Sequence, residues 1–165
     1  NSFKYASLED LKEAKRLILL DKIEDPHNLG AIIRSAESFG FDGVIIPEHR
    51  SAKVNPTVYK TSAGAINNIK IFMVTNLNQT IETIKKDGFW VYGLAGESKN
   101  SLSATNLTGR VAIVVGNEGD GISRLVRDNC DELIKIPMLG KVNSLNASVA
   151  AATCMYEVLR QNDFQ

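Results

Sequence analysis

Residues 133–152 read LIKIPMLGKVNSLNASVAAA, and this stretch combines a strand, a loop and a helix in direct succession. The apolar run at 133–136 predicts a strand that stops at Pro137, because proline has no N–H group to donate to a sheet ladder. A loop is predicted at 138–143. The order of these three elements suggests that the loop lies at the end of a buried strand.

The segment after that loop predicts a helix that packs closely on its neighbours. From Leu145 onward it consists mainly of small and apolar residues, including Cys154. Ser144 or Asn146 can cap its first turn, because either side chain accepts hydrogen bonds from the free N–H groups there. A polar loop beside a small-residue helix can form a cradle for a ligand. An ordinary last strand followed by a core helix is the alternative.

The rest of the chain predicts an alternation of strands and helices. Almost every predicted strand is apolar on both faces, which is typical of a mostly parallel sheet with helices on both sides. We therefore predict a single α/β domain with a mostly parallel six-stranded sheet, whose strand order the sequence does not reveal. Before residue 133, strands are expected at 17–21, Gly43–Pro47, 69–74, 89–95 and Val111–Gly116, and helices at 7–15, 29–39, 56–65, Leu77–Lys86 and 121–129.

Composition indicates an ordinary globular protein whose net charge of zero gives no overall electrostatic attraction for nucleic acid. The 165 residues are 44% hydrophobic and 23% charged, and 19 basic residues balance 19 acidic ones. Any RNA contact must therefore use a local basic patch. Two cysteines, Cys130 and Cys154, are too few for a disulfide framework, so we expect the reducing cytoplasm. No apolar run approaches the length of a membrane span.

Unusual residues cluster where predicted strands end, which is where ligands bind in open α/β sheets. One cluster is GNEGDG at 116–121, whose glycines expose backbone N–H groups. It has no Lys followed by Ser or Thr, and its two carboxylates repel phosphate, so a neutral or cationic ligand suits it better. A flavodoxin-like nucleotide-binding domain would need a phosphate loop after the first strand, where the sequence has DKIEDPHNLG instead.

Arg34 is a second unusual residue, six positions after Asn28 on a helix that starts at a strand end. Its alternative interpretation is a surface arginine paired with Glu37. His27 and His49 are separated and lack a neighbouring Cys or carboxylate cluster, so no metal site is predicted. The residues alone predict a loop-built ligand site and do not define a reaction.

Three motifs, taken together, resemble the SpoU/TrmH branch of the SPOUT RNA methyltransferases. The similarity runs from about residue 17 to residue 160 and is strongest toward the RlmB-like group, which methylates a guanosine ribose of 23S ribosomal RNA. The motifs are DPHNLG at 25–30 with RSA at 34–36, VGNEGDGI at 115–122, and IPM at 136–138 leading to SLNASVA at 144–150.

The resemblance implies a C-terminal deep trefoil knot that binds S-adenosylmethionine, and a homodimer with its active site beside the interface. The helix at 144–152 would then be buried in the knot and the interface. The cofactor-binding residues implied by the family pattern are Leu94, Ala95, Gly96, Gly116, Ile136, Met138, Ser144, Leu145 and Asn146.

The implied reaction is methyl transfer to a ribose 2′-hydroxyl. Because an arginine is nearly always protonated, we do not expect Arg34 to act as a simple base. We expect it to bind the adjacent phosphate and to stabilise the developing alkoxide. The implied catalytic residues are Arg34, Asn28, Glu118, Ser144 and Asn146. An RNA-binding patch with strong salt dependence is expected at Arg34, Arg50, Lys53, Lys60 and Lys141.

RlmB-like proteins usually carry an N-terminal RNA-binding domain, for which there is no room before Leu17. We therefore expect residues 1–16 to be a linker remnant with a short helix, and residues 17–165 to be the catalytic domain. A transfer-RNA ribose methyltransferase is the alternative within the class, since the same motifs serve both. A non-catalytic RNA-binding module with a vestigial cofactor pocket is the alternative outside it.

Overall fold

Six parallel strands form one sheet in the computed structural model, which describes residues 3–165. The order across the sheet is β3-β2-β1-β5-β4-β6, and each pairing between these strands is parallel. The predicted six-stranded α/β sheet is confirmed. The strands are β1 (Arg16–Asp21), β2 (Gly43–Pro47), β3 (Lys70–Val74), β4 (Trp90–Leu94), β5 (Val111–Gly116) and β6 (Glu132–Ile134).

Five α-helices cover the two faces of this sheet within the described part of the chain. They are α1 (Pro26–Ser38), α2 (Pro56–Thr61), α3 (Leu77–Lys86), α4 (Arg124–Asn129) and α5 (Ala147–Gln161). Three short 3₁₀ helices lie at Leu8–Glu13, Ala65–Asn67 and Leu102–Ala104. None of the helices in residues 3–165 is long and apolar enough to cross a membrane.

The core has two layers, because alternate side chains of each strand point to opposite faces. In β1, Ile18 and Leu20 join the cluster that contains α1 and α5, whereas Leu17 and Leu19 join the cluster that contains α3. All four are fully buried. Cys154 lies in the first layer, as predicted, and burial raises the pKa of its thiol to about 12.

Four predicted helices have different bounds. The helix predicted at 29–39 spans Pro26–Ser38, because Asp25 caps it and Pro26 fits its first turn. The helix predicted from Leu145 begins at Ala147, because Asn146 is its N-cap and accepts from the N–H groups of Ser148 (2.9 Å) and Val149 (3.3 Å). The helix predicted at 121–129 starts at Arg124, since the preceding residues stay in a turn. The helix predicted at 56–65 ends at Thr61, because positive φ angles follow at 63 and 64.

The segment before β1 packs on the domain rather than only leading into it. Phe3 and Tyr5 contact the core, and the N–H group of Ala6 donates to the carbonyl oxygen of Ile71 at 2.8 Å. Residues 3–6, which the sequence assigns to a linker remnant, are therefore attached to the domain, and Asn1 and Ser2 lie outside the described residues. The short predicted helix after Ser7 is present as a 3₁₀ helix.

Candidate functional site

The site is organised at the carboxyl ends of β1 and β5, which are neighbours at the centre of the sheet. Asp21 and Gly116, the last residues of the two strands, are paired in register. The loop after β5 folds back so tightly that a Cβ on Gly116 would lie 2.2 Å from the carbonyl carbon of Gly121. A side chain at position 116 would therefore push the loop away from the strand.

Two side-chain oxygens fix the shape of this loop. Oδ1 of Asn117 accepts from the N–H group of Asp120 at 2.7 Å, and Oδ2 of Asp21 accepts from the N–H group of Ser123 at 2.6 Å. Asp21 is buried, and sequence reasoning missed it. The available signal was a carboxylate at the end of an otherwise apolar strand, since a buried charge needs a specific partner.

A chain of hydrogen bonds joins three segments that are distant in sequence. Nδ2 of Asn28 donates to Oε1 of Glu118 at 3.3 Å, and Nδ2 of Asn146 donates to Oδ1 of Asn28 at 3.1 Å. Asn28 lies in the first turn of α1, Glu118 in the loop after β5, and Asn146 at the start of α5. The structure thus brings together three of the five predicted catalytic residues.

Arg34 and Ser144, the other two predicted catalytic residues, are exposed to solvent. Within residues 3–165 Arg34 forms neither an ion pair nor a side-chain hydrogen bond, so the pairing with Glu37 is not seen. Arg34 lies on α1, six residues beyond Asn28. Ser144 lies in the loop before α5 and lines a cavity beside that loop. Both side chains are therefore available to a ligand.

A cavity of about 300 Å³ lies between the loops that follow β4, β5 and β6. Seven of the nine residues predicted to bind the cofactor line it. Ala95 does not, because it is buried and its N–H group donates to the carbonyl oxygen of Ile134, and Asn146 does not, because its side chain is directed to Asn28 and α5. The seven are Leu94, Gly96, Gly116, Ile136, Met138, Ser144 and Leu145.

The wall of this cavity is acidic. Glu97, Glu118 and Asp120 line it, whereas no Lys, Arg or His does so among the described residues. Glu97 is paired with Arg127 at 2.8 Å, and within residues 3–165 Glu118 accepts only from the neutral amide of Asn28. Sequence reasoning missed Glu97, because its distance from the other two in the chain gave no signal. The wall disfavours phosphate and suits a cation or a neutral ligand.

The residues predicted to bind RNA are all exposed. Arg50 and Lys53 lie in the loop after β2, Lys60 in α2, and Lys141 in the loop after β6. The ammonium group of Lys53 donates to the carbonyl oxygens of Glu48 and Ser51, which braces the loop. Their contact with RNA stays a prediction.

The two histidines belong to different loops. His27 faces Asp25, with Nδ1 at 3.3 Å from Oδ1, and His49 is exposed. Residues 3–165 contain no group of three or more His, Cys, Asp or Glu residues that could hold a metal ion.

Fold and site define an α/β domain whose acidic, partly apolar ligand cavity is built from loops at the carboxyl edge of a parallel sheet. The model of the SpoU rRNA methylase family matches residues 15–156. The chain belongs to this family.

Curated relatives share about half of their aligned residues with the chain. A 23S rRNA (guanosine-2′-O-)-methyltransferase RlmB of Xanthomonas campestris pv. campestris is 49% identical over 158 residues, covering 93% of this chain and 64% of the relative. A putative TrmH family tRNA/rRNA methyltransferase of Staphylococcus aureus is 50% identical over 168 residues, covering 96% of this chain and 67% of the relative. The chain thus spans just under two thirds of the Xanthomonas protein.

Solved structures share the architecture. The SpoU methyltransferase AviRb of Streptomyces viridochromogenes, in complex with AdoMet, aligns with a TM-score of 0.88 at 27% identity, covering 98% of this chain and 67% of that one. A putative RNA methyltransferase of the TrmH family from Porphyromonas gingivalis aligns with a TM-score of 0.83 at 33% identity, covering 90% of this chain and 60% of that one.

Proposed function

We propose that this chain transfers a methyl group from S-adenosylmethionine to a ribose 2′-hydroxyl of RNA, and that its target is a guanosine of 23S ribosomal RNA. The observation that carries the proposal is the hydrogen-bonded chain Asn146–Asn28–Glu118 beside an acidic cavity. Family membership and the name of the Xanthomonas relative support the reaction and the target. Such a protein works in the cytoplasm, where ribosomal RNA is modified.

The cavity fits S-adenosylmethionine in both polarity and charge. Leu94, Ile136 and Leu145 offer apolar contact for an adenine ring, and the loop backbone offers donors and acceptors for its polar edge. The sulfonium group is cationic, and it would meet the carboxylates of Glu118 and Asp120. When bound, this cofactor supplies an electrophilic methyl group. The AdoMet complex of AviRb supports this assignment.

Asn28 and Asn146 would orient polar groups at the reacting centre. The side-chain amide of Asn28 donates one hydrogen bond to Glu118 and accepts one from Asn146, so its position is set before RNA binds. Preorganised polar groups of this kind lower the barrier because they need not reorganise during the reaction. Glu118 would hold Asn28 and contribute negative charge to the cavity, and Ser144 would present its hydroxyl from the cavity wall.

Arg34 would act on the RNA. Its guanidinium carries a permanent charge and five donors, and none of the described residues occupies them. It can grip a phosphate beside the target nucleotide through paired hydrogen bonds, and stabilise negative charge as the 2′-hydroxyl loses its proton. Such a role uses a guanidinium that stays protonated throughout.

We also propose that residues 17–165 form the methyltransferase domain and that their C-terminal part is knotted. The chain leaves β6 at one edge of the sheet, and α5 then packs on α1 and β5 near the sheet's centre. This return across the sheet is compatible with threading through a loop. Hydrogen bonds from Ser98 (2.6 Å) and Asn100 (3.2 Å) to the carbonyl oxygen of Leu133 hold the loop after β4 against β6.

A homodimer is the proposed assembly. Val149 and Tyr156 of α5 are 50% and 47% exposed, although most other apolar side chains of this helix are buried on the domain. Covering these side chains with a second copy would remove apolar area from water. Sedimentation equilibrium tests this, with a Tyr156→Asp variant expected to shift the protein toward monomer.

Calorimetric titration with S-adenosylmethionine tests the cofactor site. The wild type should bind, and Leu145→Arg should abolish binding because its side chain would fill the cavity and its charge would repel the sulfonium. Leu139→Arg is the matched control, since Leu139 lies in the same loop, is fully exposed and does not line the cavity. Binding equal in all three proteins would refute the site.

Transfer of labelled methyl groups tests the substrate. We expect label in the ribose of a 23S ribosomal RNA fragment. Incorporation into transfer RNA instead would favour the alternative that the name of the Staphylococcus relative suggests. RNA binding without S-adenosylmethionine binding would favour a non-catalytic module, although the presence of all five predicted catalytic residues argues against it.

A further inference from the structure

Tyr59 belongs to an aromatic cluster that the proposed methyl transfer does not use. Its side chain is 44% exposed on α2, and the ring of Phe3 packs edge-on against it with centroids 6.2 Å apart. Phe3 in turn packs edge-on against Tyr5 at 5.0 Å. The hydroxyl of Tyr5 accepts from the N–H group of Val54 at 3.1 Å. The cluster supports Tyr59 on one side and leaves much of the ring to solvent.

Three cations lie on the chain segments that hold this cluster. Lys60 follows Tyr59 directly, Lys53 precedes Val54, and Arg50 lies in the same loop. Residues 48–61 carry these three cations and one carboxylate, that of Glu48. Lys53 uses its ammonium group on two backbone carbonyls, which leaves a third proton for a ligand. The neighbourhood of the exposed ring is therefore positively charged.

The cluster is joined to the candidate active site by direct contacts. The N–H group of Ala52 donates to the carbonyl oxygen of Ile23 at 2.8 Å, which attaches the basic loop to the segment that enters α1. α2 packs so closely on α1 that a Cβ on Gly30 would lie 1.7 Å from Oγ1 of Thr61. Gly30 is two residues beyond Asn28, so α2, which carries Tyr59, packs directly beside the first turns of α1, which carry part of the site.

We infer that Tyr59 is a stacking platform for an unpaired RNA base that flanks the target nucleotide, with Arg50, Lys53 and Lys60 contacting the neighbouring phosphates. The inference rests on the proposed function. An exposed aromatic ring alone also suits a protein partner, but three cations around it favour a polyanion. Bases stack on aromatic side chains only when they are not paired, so this surface selects single-stranded or looped RNA.

Binding of labelled single-stranded RNA of about 12 nucleotides, and of the same strand annealed to its complement, tests the inference at low salt. Tyr59→Ala should weaken single-strand binding about fivefold or more and leave duplex binding within about twofold, while Tyr59→Phe should match the wild type. Trp90→Ala is the matched control. Trp90 is 49% exposed but lies at the amino end of β4, on the opposite edge of the sheet.

Three outcomes would overturn the inference. Equal losses on single strand and duplex would assign Tyr59 a structural or purely electrostatic role. A Tyr59→Phe variant as weak as Tyr59→Ala would assign the effect to the hydroxyl. If Tyr59→Ala does not weaken single-strand binding, or if the wild type does not bind the single strand, the exposed ring does not stack on RNA and must serve another partner. Titration of the same variants with S-adenosylmethionine reports separately on the proposed function and should show unchanged affinity.

Discussion

Two arginines of the domain have opposite surroundings, one at the amino edge of the sheet, where the strands begin, and one on the helix that follows β1. Arg110, just before β5 at the amino edge, donates to the carbonyl oxygens of Ala14 (3.0 Å) and Lys12 (3.1 Å) and lies 4.2 Å above the ring of Phe89. Arg34, on α1 and six residues beyond Asn28, has no polar partner within the described residues. One guanidinium is fixed by the fold and the other is available.

The carboxylates show the same contrast. At the amino edge Oδ2 of Asp42 accepts from the N–H groups of Lys15 (2.7 Å) and Arg16 (3.0 Å), and Oδ2 of Asp131 accepts from that of Val91 (2.8 Å). At the carboxyl edge Asp120 has no cationic partner in residues 3–165. The comparison teaches that Arg110, Asp42 and Asp131 stabilise the domain, whereas Arg34 and Asp120 are left available to a ligand.

Arg34→Ala should have the largest effect on activity. Removing a preorganised donor from a developing charge typically slows the reaction about 100-fold or more, and Arg34→Lys should recover little because an ammonium lacks the planar fork. Single-turnover methyl transfer measures this loss. Thermal unfolding should be unchanged, since the side chain is exposed and has no polar partner among the described residues. Loss of S-adenosylmethionine binding in Arg34→Ala would contradict the assignment of this arginine to the RNA.

Arg110→Ala should behave in the opposite way. It removes several charge-assisted hydrogen bonds and leaves backbone carbonyls without donors, so the free energy of unfolding should fall by about 2 kcal/mol. Urea unfolding measures the change. At temperatures where the variant is folded, its affinity for S-adenosylmethionine should equal that of the wild type. A variant as stable as the wild type would remove the distinction between the two edges.

Asn146 combines both roles, and two substitutions separate them. Asn146→Asp keeps the oxygen that caps α5 but loses the donor to Asn28, so stability should be retained while methyl transfer falls. Asn146→Ala loses both, and the missing cap should lower the free energy of unfolding by about 1 kcal/mol. Urea unfolding and transfer rates, measured on both variants, test the division. Equal stability of the two would show that the cap contributes nothing.

The fold could be predicted from the sequence because its signals are local. Apolar runs such as Val111–Gly116 are buried on both faces, and Gly40, with its positive φ, marks the end of α1. Strand order could not be predicted, since it depends on which apolar faces meet in space. The start of α4 was misplaced because a distant group decides it. The turn before α4 is held by Asp21, 102 residues earlier in the chain.

The candidate site could be predicted only through a resemblance of three motifs. Asn28, Glu118 and Asn146 carry no local sign that they meet, because 90 and 118 residues separate Asn28 from its two partners. Glu97 was missed for the same reason. The amino edge was not predicted at all, because Arg110 and Asp42 are ordinary charged residues until the fold places backbone groups around them.

Glu157 offers the smallest and most specific test of the amino edge, where the last turn of α5 ends. Its carboxylate accepts from Arg160 at 2.7 Å and from Gln161 at 2.8 Å, and these contacts, led by the Arg160 hydrogen bond, lower its pKa below the ordinary value of 4.5 although burial opposes them. A carboxyl whose pKa is lowered on folding stabilises the folded state above its unfolded pKa. That stability is lost as the pH falls through the folded value.

Glu157→Gln should therefore lower the thermal midpoint at neutral pH, and its difference from the wild type should shrink as the pH falls below about 4.5. Thermal unfolding followed by circular dichroism, at intervals between about pH 7 and pH 3, measures that difference. Glu9→Gln is the control. Glu9 forms an ion pair with Lys12, and because the side chain of Glu9 is 79% exposed, this pair contributes little to stability. A difference that stays constant with pH would mean that Glu157 acts through its shape and hydrogen bonding to Gln161 rather than through its charge. The amino edge would then be stabilised by neutral contacts at this point, unlike the charged contacts around Arg110.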